Sequence, residues 1–261
     1  MAISYGISRG WGKETDAGRT HIATKGVYAN NMVFNLDFGS TTCYSGSGTS
    51  LLDLTGSYTG TLVGGTAYSP TSYYGGMVFD GVNDYINFGN IGTSSNVSFS
   101  NNFTIEQIFT PTGYQPGTYY GLTNMLISKG TASTYNYATQ VSSDTTFSFI
   151  KRTSPEGLQY STFTVPSMAQ KVNVVTIVVQ SGSNTSFDTV TCYHNGVFIE
   201  TQNIQGAVIT PVANDPFNIS GLGAANGYFI GTYYAGRMYN TALTASDVMR
   251  NFNVVRGRYG L

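Results

Sequence analysis

Apolar and polar positions alternate in short bursts along most of the chain. MVFNLDF at 32–38, GMVFDG at 76–81, DYINFG at 84–89 and FTIEQIF at 103–109 are β-branched or aromatic runs bounded by Gly, Asp or Asn. The pattern recurs as NMLISKG at 124–130, TTFSFIKR at 145–152, VNVVTIVVQ at 172–180, TVTCYHNGVFIE at 189–200 and GYFIGTYY at 227–234. Runs of this length and composition, punctuated by turn residues, predict strands. Asn195-Gly196 interrupts the 189–200 run with two residues that tolerate positive φ, which predicts a tight hairpin there.

A helical period occurs at LTASDVMRNFNVV, 243–255, where Thr244 and Asp247 form a capping-box pair and Leu243, Val248, Phe252 and Val255 approximate one apolar stripe. Many strands followed by one short helix predict an all-β sandwich with an appended C-terminal helix, not a βαβ fold. Residues 1–30 show no sustained period and read as an extended N-terminal arm; the strand-rich span 32–236 carries no Pro-rich or charged linker, and residues 31–261 read as one domain. Trp11, the only tryptophan, lies in the arm, where an aromatic side chain suits anchoring to a groove on the chain's own body or on a neighbouring subunit.

Composition sharpens this picture. Charged residues make up 10% of the chain and aromatic residues 14%, 20 of them tyrosines, which excludes disorder and implies a large core under an uncharged, hydroxyl-rich surface. The few charges are unevenly placed. Residues 1–25 hold Arg9, Lys13, Arg19 and Lys25 against Glu14 and Asp16, and residues 237–261 hold Arg237, Arg250, Arg256 and Arg258 against Asp247, so basic ends flank an acidic body. The cations are too few and too scattered for a nucleic-acid track and point instead to docking on an acidic protein surface. Cys43 and Cys192 are too few for a disulfide scaffold or a zinc site and read as buried thiols. The N-terminus lacks the apolar core of a signal peptide and no run reaches the ~18 apolar residues of a membrane span, so a cytoplasmically made protein is expected. Asn-x-Ser/Thr triplets begin at Asn96, Asn102, Asn184 and Asn218, as an Asn- and Thr-rich chain produces by chance.

Candidate chemistry is sparse. The four glutamates, Glu14, Glu106, Glu156 and Glu200, are isolated from one another, which argues against the paired carboxyls of glycoside hydrolysis. His21 falls in the arm and His194 beside the hairpin turn, where a surface position is expected; no Gly-x-Ser-x-Gly elbow accompanies them. GLGAANG at 221–227 has a displaced third glycine and precedes a strand, so it reads as a loop rather than a phosphate cradle. Tyr73-Tyr74, Tyr119-Tyr120 and Tyr233-Tyr234 are candidate sugar-stacking faces, although strand alternation would turn one member of a pair inward.

FDGVNDYINFG at 79–89 resembles a motif of laminin-G-like domains, and NLDFGSTTCYSGSGTSLLDLTGSYTGTLVGGTAY at 35–68 resembles the lead-in of their single-domain relatives. FTIEQIFTP at 103–111 is similar to the strand that follows, except that such domains generally have tryptophan near Gln107 or Ile108. YHNGVFI at 193–199, FIGTYYAGRMYNTALTASDV at 229–248 and NFNVVRGRYGL at 251–261 extend the likeness, the last two blocks resembling the close of similar proteins in marine and cyanobacterial tailed phages. The resemblance implies a concanavalin A-like jelly roll of two antiparallel sheets whose helix lies beside GYFIGTYY. It also implies a non-enzymatic virion protein (a head decoration, head fibre or tail-associated protein) with other virion proteins as partners, no nucleic acid or membrane, and a homo-oligomeric, trimeric assembly. Arg9, Trp11, Lys13, Arg19 and Lys25 are then the attachment residues. A host surface glycan is a second expected partner, in the manner of a glycan-binding adhesin; a third reading, which the isolated carboxylates disfavour, is an enzyme that degrades polysaccharide. No cofactor is required, although some relatives bind calcium at an aspartate-containing rim, for which Asp80, Asn83 and Asp84 could supply oxygens; the alternative there is a hydrogen-bonded turn.

Overall fold

Side chains that are apolar at every second position are buried only when two sheets face each other, and the chain builds two. The computed structural model describes residues 26–90, 102–115, 122–130, 136–153, 157–182, 187–205, 215–222 and 227–261. The arm residues Arg9, Trp11, Lys13, Arg19 and Lys25 lie outside them.

Along the described residues run β1 (Met32–Asp37), β2 (Ser50–Leu52), β3 (Thr59–Val63), β4 (Ala67–Ser69), β5 (Gly76–Asp80), β6 (Tyr85–Asn90), β7 (Phe103–Pro111) and β8 (Met125–Lys129). They continue with β9 (Tyr137–Ser143), β10 (Thr146–Thr153), β11 (Gly157–Thr164), β12 (Asn173–Gln180), β13 (Phe187–His194), β14 (Val197–Gln205), β15 (Pro216–Ile219), β16 (Ile230–Tyr239) and the helix α1 (Ala245–Tyr259). One sheet has the order β14-β13-β12-β7-β16-β5-β4, with β1 also on β16; the other has the order β11-β10-β9-β8-β15-β6-β3-β2. All pairings among them are antiparallel. Each run named from the sequence is a strand or a hairpin. The strands that the pattern does not reveal, such as YATQVSS in β9 and PFNI in β15, are polar or short and pair because their neighbours supply the edges.

Phe103, Ile105 and Phe109 on β7 face the second sheet, and aromatic rings meet across the interior: Phe34 packs edge-on to Phe88 and Phe217 at 5.2 and 5.0 Å. Gln107 points the same way and accepts a 3.0 Å hydrogen bond from Thr139 on the opposite sheet. A polar bridge therefore joins the sheets at this position. At one side the edge strands β14 and β11 are held together by a single side chain. The Gln202 amide donates to the Thr162 carbonyl at 2.8 Å and accepts from the Thr162 amide at 3.1 Å, closing both edges as a strand would. The expected hairpin forms, with Asn195 at φ 51° and Gly196 at φ 75°.

The helix lies on the outer face of the first sheet. Its start is fixed by the Thr244–Asp247 capping box and its end by Gly260 in the left-handed region. The buried stripe is Val248, Asn251, Val255 and Tyr259 rather than the expected Leu243, Val248, Phe252 and Val255. Leu243 is buried but precedes the helix, and Phe252 sits half-buried over Gly196, where a Cβ would approach its ring to 2.7 Å. Asn251 belongs to the stripe because its amide works beneath the helix, accepting from the Tyr28 amide at 2.7 Å and donating to the Tyr239 hydroxyl at 3.0 Å.

Two ion pairs lie in the same layer. Glu106 of β7 and Arg237 of β16, each about 1% exposed, meet at 2.6 Å, and Arg258 of α1 holds both oxygens of Asp37 at 2.7 and 2.8 Å. Arg250 donates to the Gly26 carbonyl at 3.0 Å. Of the C-terminal cations read as a docking surface, Arg237, Arg250 and Arg258 are thus committed within the fold, because β16 sets Arg237 against Glu106 of β7 and the helix packs Arg258 over Asp37 and Arg250 over Gly26. Val27 and Tyr28, within the stretch expected as arm, contact this same layer. No described helix is long and apolar enough to cross a membrane.

Removing one member of a buried pair strands the other charge, whereas replacing both removes the desolvation cost. Glu106→Ala should therefore lower stability by about 3–5 kcal/mol, and Glu106→Leu combined with Arg237→Met should recover most of it in urea unfolding.

Candidate functional site

Every Asp and Glu among the described residues already has a partner. Asp37, Glu106 and Asp188 pair with Arg258, Arg237 and Lys151; Asp53, Asp80, Asp84, Asp144 and Asp247 accept backbone amides. Asp215 accepts from the Asn136 amide and Glu200 from the Gln202 amide. Glu106 and Glu200 do not share a site, since Glu106 lies beneath α1 while Glu200 is exposed on the edge strand β14. Glu14 and Glu156 lie outside the described residues, as does His21.

His194 is not at the surface. It follows Val190 and Cys192 on the inward face of β13, is 5% exposed, and its Nε2 lies 2.8 Å from Asn173 Oδ1. The hairpin turn beside it is solvent-facing, but strand alternation decides where its ring goes. Burial pushes its pKa down to about 4. Cys43 and Cys192 are free and buried, and burial pushes the Cys43 thiol up to about 12. Asn218, the start of one glycosylation triplet, is buried in β15.

The tyrosine pairs separate cleanly. Tyr119 and Tyr120 lie outside the described residues. Tyr233 faces the interior and Tyr234 lies under α1, both buried. Tyr73 and Tyr74, however, occupy a turn rather than a strand, so alternation does not hide either of them; they are 40% and 46% exposed. The Gly75 amide donates to the Ser72 carbonyl at 2.8 Å, and the two central residues sit at φ 47° and 70°. Left-handed backbone at a non-glycine residue costs about 1–2 kcal/mol. Tyr73 recovers some of this, since its carbonyl accepts from Arg258 Nε at 2.8 Å and its ring meets Tyr234 and Tyr259 at 5.4 and 5.5 Å. Pro70, Thr71, Ser72, both tyrosines and Arg258 line an open cleft of about 530 Å³.

Residues 80–249 match the family model described as the concanavalin A-like lectin/glucanases superfamily, of laminin-G type. The chain belongs to this superfamily. No curated protein matches the sequence. Among solved structures, domain 4 of AbnA, a GH43 extracellular arabinanase from Geobacillus stearothermophilus in complex with arabinotriose, is 18% identical over 85% of this chain and 98% of its own, with a TM-score of 0.59. The botulinum neurotoxin serotype G binding domain is 15% identical over 86% of this chain and 51% of its own, at a TM-score of 0.61. The Trypanosoma rangeli sialidase in complex with sialic acid is 17% identical over 93% of this chain and 37% of its own, at 0.58. At these identities the matches show the fold, and the chain spans only about half of the toxin domain and about a third of the sialidase.

In this lectin-like sandwich the turn expected to offer calcium ligands forms its own hydrogen bonds. Asp84 Oδ2 accepts from the Asp80 amide at 3.0 Å, Asp80 Oδ1 accepts from the Val82 amide at 2.8 Å, and Asn83 is exposed. Asp84 Oδ1 alone is buried without a partner, whereas calcium takes about 6–8 oxygens, so these side chains do not fit the ion. Among the described residues no group of three His, Cys, Asp or Glu side chains could hold a metal. Of GLGAANG, Gly221 accepts from Ser128 through its carbonyl and β16 follows the segment, while residues 223–226 lie outside the described residues.

The neutral, buried His194 generates a pH dependence. The unfolded chain takes up this proton near pH 6.5 and the folded chain only near 4, so its contribution is complete above about pH 6.5 and declines as the pH falls towards 4. Urea unfolding across this range should show a shallower acid decline for His194→Gln than for the wild type; parallel curves would contradict it.

Proposed function

We propose that the chain is a non-catalytic virion protein of a tailed phage, a head decoration, head fibre or tail-associated component, that displays a glycan-recognising sandwich. The observation that carries the non-catalytic reading is the commitment of every described carboxylate to an ion pair or hydrogen bond within the fold. Proton transfer to a glycosidic oxygen and activation of a water require two carboxyls facing across an open cleft. The cleft beside Tyr73 and Tyr74 is lined by hydroxyls, aromatic rings and one arginine instead.

Recognition of saccharide is supported by the lectin-like superfamily and by likeness to an arabinanase domain solved with arabinotriose. The phage setting is supported by the C-terminal sequence, in which TALTASDV and RGRYGL resemble the close of phage proteins. Attachment falls to the arm, where Trp11 supplies the apolar anchor and Arg9, Lys13, Arg19 and Lys25 the charge for an acidic shell or tail protein. Ordering the arm costs conformational entropy that burial at the particle must exceed. Symmetric particles favour several copies, and a trimer is the assembly proposed.

A second reading, a glycan-binding adhesin not mounted on a particle, shares the sandwich but not the attachment. Deleting residues 1–25, which stops short of the docked Val27 and Tyr28, should leave cooperative unfolding intact and abolish incorporation into particles. Cryo-electron microscopy of particles carrying the full chain should show it at a repeated symmetric position; absence from particles, with retained saccharide binding, would favour the adhesin.

A further inference from the structure

We propose that the Tyr73–Tyr74 turn is a stacking subsite for an uncharged sugar ring, with Tyr74 as the platform. The proposal rests on the glycan-recognition reading and assigns it a place and a ligand class. Its starting point is a contrast within the chain. Among the described residues, left-handed backbone falls at successive positions in Gly64-Gly65, Asn195-Gly196 and Ser220-Gly221, each with a glycine suited to it, and at Tyr73-Tyr74, where two tyrosines adopt it at φ 47° and 70° ahead of Gly75. Folding accounts for Tyr73, whose carbonyl and ring are both engaged. It does not account for Tyr74. Among the described residues its side chain has no hydrogen bond or ring contact, it is 46% exposed, and asparagine or glycine would suit its backbone better. Strain kept where nothing in the fold compensates it points to use.

The turn is also held rigidly. Arg258 grips the Tyr73 carbonyl through Nε while its Nη1 engages both oxygens of Asp37, and Gly75 passes so close to the Phe38 carbonyl that no Cβ fits. Tyr68 adds a 3.0 Å hydrogen bond to that same carbonyl. An aromatic face presented without loss of rotational freedom in the backbone favours binding by preorganisation. The adjoining cleft, about 530 Å³, falls in the range of small-ligand sites, and Thr71 and Ser72 place hydroxyl-bearing side chains along it.

Charge selects the ligand class. Among the described residues Arg258 is the only charged one lining the cleft, and its guanidinium is paired with Asp37 through Nη1, with Nη2 buried against Gly39. No cation is offered to a carboxylate, so the apolar C–H face of a neutral hexose or pentose fits, and a sialic acid or uronate does not.

The test uses the full chain on an array of neutral, uronate-containing and sialylated oligosaccharides, alongside thermal unfolding of Tyr74→Asn and Tyr74→Phe. Wild type should bind neutral saccharides; Tyr74→Asn should weaken this by about tenfold or more while melting at or above the wild-type temperature, and Tyr74→Phe should bind nearly as wild type. Undiminished binding by Tyr74→Asn, or a wild type that binds only acidic saccharides, overturns the site and leaves the broader glycan reading standing. A wild type that binds no saccharide overturns both.

Discussion

Arg258, on the last turn of α1, reaches down to Asp37 at the end of β1 and holds both of its oxygens within 2.8 Å, joining residues 221 apart in the chain. The carboxylate is fully buried and the arginine nearly so, so the pair has given up solvent and depends on its geometry to be tolerated. Much else is built around it. The same guanidinium supports the Tyr73 carbonyl and lies 5.0 Å from the Tyr259 ring, which packs on Tyr234 of β16, and Glu106 with Arg237 forms a second pair in the same layer. A purely apolar layer would let the helix slide on the sheet; charged partners with fixed geometry specify one position.

The consequence is an asymmetry between the sandwich's two kinds of interior. Between the sheets, aromatic rings interlock at 5 to 6 Å, and the polar exceptions, among them Gln107 with Thr139 and the ion pair of Lys151 with Asp188, bridge one sheet to the other. Beneath the helix, hydrogen bonds and ion pairs dominate, and they draw in the chain at Gly26 and Tyr28 as well. Density of apolar contact holds the first interior together, while directionality organises the second.

That division bears on function. The described carboxylates all have partners within the chain, which supports the proposed non-catalytic reading, and the cleft beside Tyr74 is aromatic and hydroxyl-bearing. The Tyr73–Tyr74 turn is carried on the same arginine that positions the helix, so a surface feature inherits rigidity from a buried one. Saccharide recognition by stacking requires such a fixed face more than it requires charge.

Much of this was legible beforehand. Period-two runs identified nine strand regions, Asn195-Gly196 the hairpin, and Thr244 with Asp247 the helix start, because each signal acts between residues a few positions apart. The polar strands β9, β11 and β15 carried no such signal and were recruited by the hydrogen-bonding edges of their neighbours. His194 was misplaced at the surface because nearness to a turn in sequence says nothing of which way a strand residue faces. The C-terminal arginines likewise read as a free basic patch until strand pairing set Arg237 against Glu106 and the helix set Arg258 against Asp37, each more than a hundred positions earlier. Local turn and strand propensities belong to the sequence itself; partners for buried charges, and strain held at an exposed tyrosine, exist only once distant segments have been packed together.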